Sequence, residues 1–229
     1  MFGRQKASTL MSEFLGTGIL TFVILSVQRS TIGVPFFIAL AAGIALALST
    51  YILHESSGAH FNPAITIAVW TARKISSAMA VIYIVMQLLG ALLASVLYAY
   101  FANTHLQSIG GHYTTRILVA EAVGTVIFSF GIMATVYRRY TPSAVAVFSG
   151  VSYFIGIIIA SAGNAALGLL NPAVALGVHA WVWGTYVLGP ILGALIGVNL
   201  YVLLYTNNKD AVVSANVVAK AKKTSKKKS

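Results

Sequence analysis

The octapeptide Ser57-Gly58-Ala59-His60-Phe61-Asn62-Pro63-Ala64 is half of a pair, because its last three residues return at Asn171-Pro172-Ala173. The step from 62 to 171 is 109 positions, and Glu13-x-x-Gly16-Thr17 returns as Glu121-x-x-Gly124-Thr125 after 108. Two motifs displaced by nearly one interval make the chain a tandem duplication. Both copies of Asn-Pro-Ala fall where an apolar pattern breaks. Duplicated broken segments point to a pathway through a membrane protein.

Composition supports the membrane. Of 229 residues, 58% are hydrophobic and 8% charged, and mean hydropathy is +0.86. A soluble domain carries about 25% charged residues, so this chain is integral to the membrane and helical. It has no cysteine, which excludes disulfides, thiol catalysis and cysteine metal sites. The net charge of +11 does not indicate nucleic acid. Six of the fifteen basic residues lie in the last ten positions, and most others flank apolar stretches, a pattern of topology and membrane-surface attraction.

The hydrophobic pattern predicts spanning helices at about 9–28, 34–54, 77–101, 116–137, 142–161 and 184–205. Each approaches the ~20 residues needed to cross a bilayer. Two apolar stretches, about 62–71 and 171–181, are too short to span. No cleavable signal is expected, because the first span runs into the repeat. Six spans put both termini on one side, with thirteen of the fifteen basic residues; Arg29 and Arg116 stand opposite. Positive charge collects on the cytoplasmic side, so both termini are expected there. Three spans per half force the second half to enter inverted.

Asparagine is a favoured helix N-cap and proline a favoured first residue. Each Asn-Pro-Ala therefore starts a short helix after a glycine-bearing loop. Inversion brings the two helices in from opposite faces, N-terminus to N-terminus. Each end carries about half a positive charge, and each asparagine adds amide donors. Loop carbonyls line the approach, tolerable at this depth only inside protein or beside water. The product is a narrow polar path whose centre disfavours cations.

The arrangement resembles the aquaporin, or major intrinsic protein, family over about residues 8–205. The resemblance rests on the motifs above, with Gln87-x-x-Gly90-Ala91 and Gly189-Pro190-x-x-Gly193-Ala194. It implies an all-α membrane fold of six transmembrane helices plus two re-entrant half-helices in two inverted repeats. It also implies a pore in each subunit and a homotetramer. Asn62, Pro63, Ala64, Asn171, Pro172 and Ala173 would form the central constriction. The backbone of Gly58, Ala59, His60, Leu167 and Leu169 would line the path. Glu13 and Glu121 would each accept hydrogen bonds from backbone donors of a re-entrant loop; a proton relay or a plain helix-end carboxylate are the other readings of an ionisable residue in a span.

The family's second motif continues with arginine, part of the outer constriction; here Val174 stands there, followed by Ala175 rather than the aspartate of the glycerol branch. Counting back from each asparagine by the family spacing gives Ala42, Ile159 and Gly168 as the other constriction positions. That ring is apolar and lacks an arginine, which relaxes hydrogen-bonding selection and removes a positive barrier.

The expected organisation is one channel domain, 1–207, with repeats at about 8–104 and 113–207. A basic, disordered cytoplasmic tail follows at 208–229, drawn to lipid. The expected function is a passive channel for water and small uncharged solutes such as glycerol or hydrogen peroxide. The alternative is an inverted-repeat secondary transporter; a junction or adhesion protein would need longer loops. Nothing suggests an enzyme, a cofactor or a metal, since the histidines lack ligand spacing. The expected partners are water, small neutral solutes, the lipid bilayer and three further copies of the chain, with no nucleic acid. The plasma membrane is the expected location; Lys226-Lys227-Lys228-Ser229 would also suit endoplasmic-reticulum retrieval in a eukaryote.

Overall fold

The computed structural model describes residues 3–138, 140–162 and 166–206. The tail from 208, Arg139 and the loop residues Gly163, Asn164 and Ala165 lie outside the described residues. The elements are α1 (Arg4–Gln28), α2 (Pro35–Ser57), α3 (Pro63–Thr71), α4 (Ser77–Phe101), α5 (Thr115–Tyr137), α6 (Pro142–Ala160), α7 (Pro172–Gly177) and α8 (Leu188–Tyr205). A π-helical turn, Trp183–Val187, leads into α8. Six of these spans are long and apolar enough to cross a membrane.

Their starts follow local chemistry. Pro35, Pro63, Pro142 and Pro172 occupy first helical turns, where the missing N–H costs nothing. Ser76, Thr114 and Thr141 accept from the amides of Met79, Ile117 and Ala144. Leu40, Ile44, Leu48 and Ile52 form an exposed stripe on α2, as Val147, Val151 and Ile155 do on α6. These stripes suit lipid or a neighbouring copy and leave the opposite faces for the interior.

The repeats pack alike. α1 lies on α4 as α5 lies on α8, while α2 and α6 cross at the centre. Small residues permit these approaches. A Cβ on Gly90 would strike the Phe14 carbonyl, and one on Gly150 would strike the Gly43 carbonyl. Each short helix packs on the last span of the other repeat, α3 on α8 and α7 on α4, and the two touch. Six crossings separate Arg4 from Tyr205, so both ends of the described chain lie on one face, termed the terminal face below.

Three boundaries differ from expectation by three residues or more. α1 starts at Arg4 rather than near 9. The second short helix ends at Gly177 rather than near 181, because Gly177 is pressed against the Ala91 carbonyl and Thr21 and the chain turns at His179, φ +62°. α2 runs three residues further than expected, to Ser57, where Gly58 caps it at φ +86°; a left-handed residue is a common helix stop.

Candidate pore

Each loop before an asparagine has left-handed residues at matching places. They are Ala59 (φ +55°) and Phe61 (+47°) in the first, Gly168 (+67°) and Leu170 (+51°) in the second. A non-glycine residue there costs about 1–2 kcal/mol. The alternation turns successive amides to one side, making an anion-binding nest. The anion is a glutamate carboxylate. Glu121 Oε1 accepts from Gly168 N at 2.8 Å and Leu169 N at 3.1 Å, and Oε2 from Leu170 N at 2.8 Å. Glu13 Oε1 accepts from His60 N at 3.0 Å, and Oε2 from Phe61 N at 2.8 Å. Both glutamates are fully buried.

Gln87 joins the first nest. Its Nε2 donates to Glu13 Oε2 at 2.7 Å and to Thr66 Oγ1 at 2.9 Å. The equivalent place in the second repeat is Pro190, which offers no such donor. Glu121 takes a third loop amide instead.

With their amides turned to the glutamates, the loops present carbonyls across the interior, and there the halves interlock. Asn62 Nδ2 donates to Leu170 O at 2.8 Å; Asn171 Nδ2 donates to Phe61 O at 2.9 Å. Each side-chain oxygen caps its own helix: Asn62 Oδ1 accepts from Ala64 N at 2.8 Å, and Asn171 Oδ1 from Ala173 N at 3.0 Å. An amide carries two hydrogens, and among the described contacts only one of each asparagine's is used. The second has no partner among the described contacts. Pro63, Ala64, Pro172 and Ala173 are buried behind.

On the terminal side a cavity of about 370 Å³ opens beside the first loop. Gly58, Ala59 and His60 form part of its wall, with Lys74, Tyr83 and Ser149. His60 is held by Thr66 Oγ1 at 3.2 Å and by the edge of Tyr83, 5.3 Å between ring centroids. Beyond the asparagines the inward residues are buried. Ala42, Val174 and Leu169 are at most 1% exposed, Gly168 is buried, and Leu167 is half-buried at the loop's start.

Ile159 does not join that group. It is 37% exposed, on the outward face of α6 with Val151 and Ile155. The inward residue near Gly168 is Ile157, 1% exposed; a Cβ on Gly168 would meet its carbonyl at 2.9 Å. The two positions lie two residues apart, and on an α-helix two residues turn a side chain by about 200°, so the count from Asn171 lands on the opposite face.

Sequence reasoning also missed Tyr153, fully buried on the inward face of α6, whose hydroxyl donates to Leu169 O at 2.7 Å. A tyrosine in mid-span was the available signal, since a buried hydroxyl needs a partner. Among the described residues no cluster of three His, Cys, Asp or Glu could hold a metal ion.

The comparisons agree with this geometry. The family profile described as major intrinsic protein matches residues 4–201. Aquaporin AqpM of Methanothermobacter marburgensis is 32% identical over 223 residues, covering 87% of this chain and 89% of its own. The glycerol uptake facilitator protein-like 6 of Lactiplantibacillus plantarum is 31% identical over 208 residues, covering 81% and 93%. The X-ray structure of the aquaglyceroporin from Plasmodium falciparum superposes with a TM-score of 0.69 at 20% identity, covering 93% of this chain and 99% of that one; at that identity the likeness speaks to fold. Two inverted repeats, two asparagine-capped half-helices meeting inside six spans, and a profile running nearly end to end together place this chain in the major intrinsic protein family.

Proposed function

We infer that this chain is a passive membrane channel for water and small uncharged solutes, with one path per subunit. The observation that carries the reading is the head-to-head junction, with Asn62 and Asn171 bonded across it and one amide hydrogen of each left for the path. Such donors serve an uncharged oxygen and repel a cation, and they sit at two helix N-termini of the same sign. The names of the relatives, aquaporin and glycerol uptake facilitator-like, support the same solutes. The secondary-transporter reading needs intramembrane charge free to couple ions. Glu13 and Glu121 are committed to loop amides, which favours the channel.

Within this reading the central constriction is Asn62, Pro63, Ala64, Asn171, Pro172 and Ala173. Glu13 and Glu121 brace the loops, and Gly58, Ala59, His60, Leu167 and Leu169 flank the path. Ala42, Gly168 and Val174 form the outer ring, with Ile157 in the place expected for Ile159. Residues 1–207 make one channel unit, with repeats at about 8–104 and 113–207, followed by a basic tail at 208–229. The channel works as a homotetramer in the plasma membrane with both termini cytoplasmic, the side on which the basic residues collect.

Stopped-flow light scattering on proteoliposomes tests the reading, comparing water, glycerol, urea and hydrogen peroxide. Water permeability well above that of empty liposomes, with a low activation energy, is expected. Folded, reconstituted protein that adds nothing for any of the four solutes refutes it.

A further inference from the structure

Tyr153 lies where the path leaves the asparagines for the outer ring. Three observations place it. First, α6 meets α2 through Gly150 and α5 through Gly156, which approaches the Gly124 carbonyl. Tyr153 lies on the inner arc between these contacts, away from the exposed stripe of Val151, Ile155 and Ile159. Second, the Leu170 amide points at Glu121 on α5, so the Leu169 carbonyl, trans to it across the same peptide bond, points the other way, into the interior; that carbonyl accepts the Tyr153 hydroxyl. Third, the next carbonyl, Leu170 O, accepts from Asn62. The phenol oxygen therefore stands one residue outward of the central junction. The Tyr153 ring rests on Phe128, 4.7 Å between centroids, which backs it from α5.

We propose that Tyr153 is the specificity-determining narrowing of the outer half of the path, in place of the apolar ring beyond it. This deepens the channel reading and rests on it. The ring formed by Ala42, Ile157, Gly168 and Val174 supplies neither a hydrogen-bonding side chain nor an aromatic wall. Tyr153 supplies both, one step further in. Its O–H proton is spent on Leu169 O, so it caps one carbonyl of the approach and offers its remaining lone pairs to the path. Water can donate to the phenol oxygen and accept from an asparagine. A triol needs several acceptors in succession and more width. At this point it loses the Leu169 carbonyl and meets a ring backed by Phe128.

The test is the glycerol-to-water permeability ratio of wild type, Tyr153→Phe and Tyr153→Ala, in proteoliposomes matched for protein density. Tyr153→Ala removes ring and hydroxyl, and glycerol passage is expected to rise about fivefold or more while water changes less than about twofold. Tyr153→Phe keeps the ring and frees the carbonyl, with a smaller rise of about twofold in the ratio. Tyr153→Leu replaces the alanine variant should that one fail to fold. Folded variants with the wild-type ratio overturn the proposal while leaving the channel reading intact. A wild type no more permeable to any solute than empty liposomes overturns both.

Discussion

Glu121→Gln separates the two nests, because the same change at Glu13 has a remedy nearby. Glu121 holds three loop amides on two oxygens. Glutamine keeps one oxygen. Placed at the Oε1 position, it retains the bonds from Gly168 and Leu169, but these lose charge assistance, about 1 kcal/mol each. The new NH₂ then faces the Leu170 amide, donor to donor. A buried donor left without a partner costs about 1–3 kcal/mol, so the total is roughly 4 kcal/mol. That strain falls on Leu170, whose carbonyl holds Asn62. Glu13→Gln starts the same way, but Gln87 lies against it. Gln87 Oε1 is buried with no partner, and turning that amide over presents an acceptor to the new NH₂. The relief is about one neutral hydrogen bond, roughly 1 kcal/mol. Thermal unfolding of the purified variants in detergent, followed by tryptophan fluorescence, should rank wild type above Glu13→Gln above Glu121→Gln. Adding Gln87→Leu to Glu13→Gln should erase the difference between the repeats. Equal midpoints for the two single variants, or the reverse order, would refute the reasoning.

Asn62→Asp and Asn171→Asp put a carboxylate oxygen against Leu170 O or Phe61 O, where a donor now sits. Each is expected to lose the cross-bond, lower the unfolding midpoint and raise cation leak, read by a pH-sensitive dye in vesicles; unchanged stability and leak in both would remove the junction from its assigned place. Val174→Arg adds charge and donors to an apolar ring, and should reduce urea and peroxide passage more than water in the same stopped-flow assay. Gly90→Ala drives a methyl into the Phe14 carbonyl, so α1 and α4 must part. A backbone clash of this kind leaves no side chain to yield, and the loss should amount to about 1–3 kcal/mol or more, seen as a lower melting point or failure to insert.

The architecture could be read from the chain because its signals are local. Asn-Pro caps, twenty-residue apolar runs and the Glu-x-x-Gly-Thr pair all sit within a few residues, and inversion follows from counting three spans per half. The nests around Glu13 and Glu121 join residues 47 to 49 positions apart; only the resemblance pointed to them. The outer ring was read less well. Counting back from Asn171 fell on Ile159, which faces outward, while Ile157, two residues earlier, faces inward; a spacing carried from a family does not fix which face of the helix a position takes. Tyr153 escaped for a different reason. Its partner is a backbone carbonyl, which no side-chain pattern in the sequence can announce. The π-helical turn at Trp183–Val187 likewise had no sequence signature beyond an aromatic run.

The cross-bonds at the midplane span 108 and 110 residues of chain, and they run both ways. During synthesis the first repeat leaves the ribosome with Asn62 and the Phe61 carbonyl lacking their mates, because those belong to a segment not yet made. α3 in turn waits for α8, the last of the described helices. The first three spans are long and apolar enough to cross the bilayer, but the centre of the molecule is a clasp that shuts only when the second repeat and α8 arrive. A chain truncated before α8 should therefore insert and still leave its first re-entrant loop open to digestion, and a separately expressed second half should be able to close it.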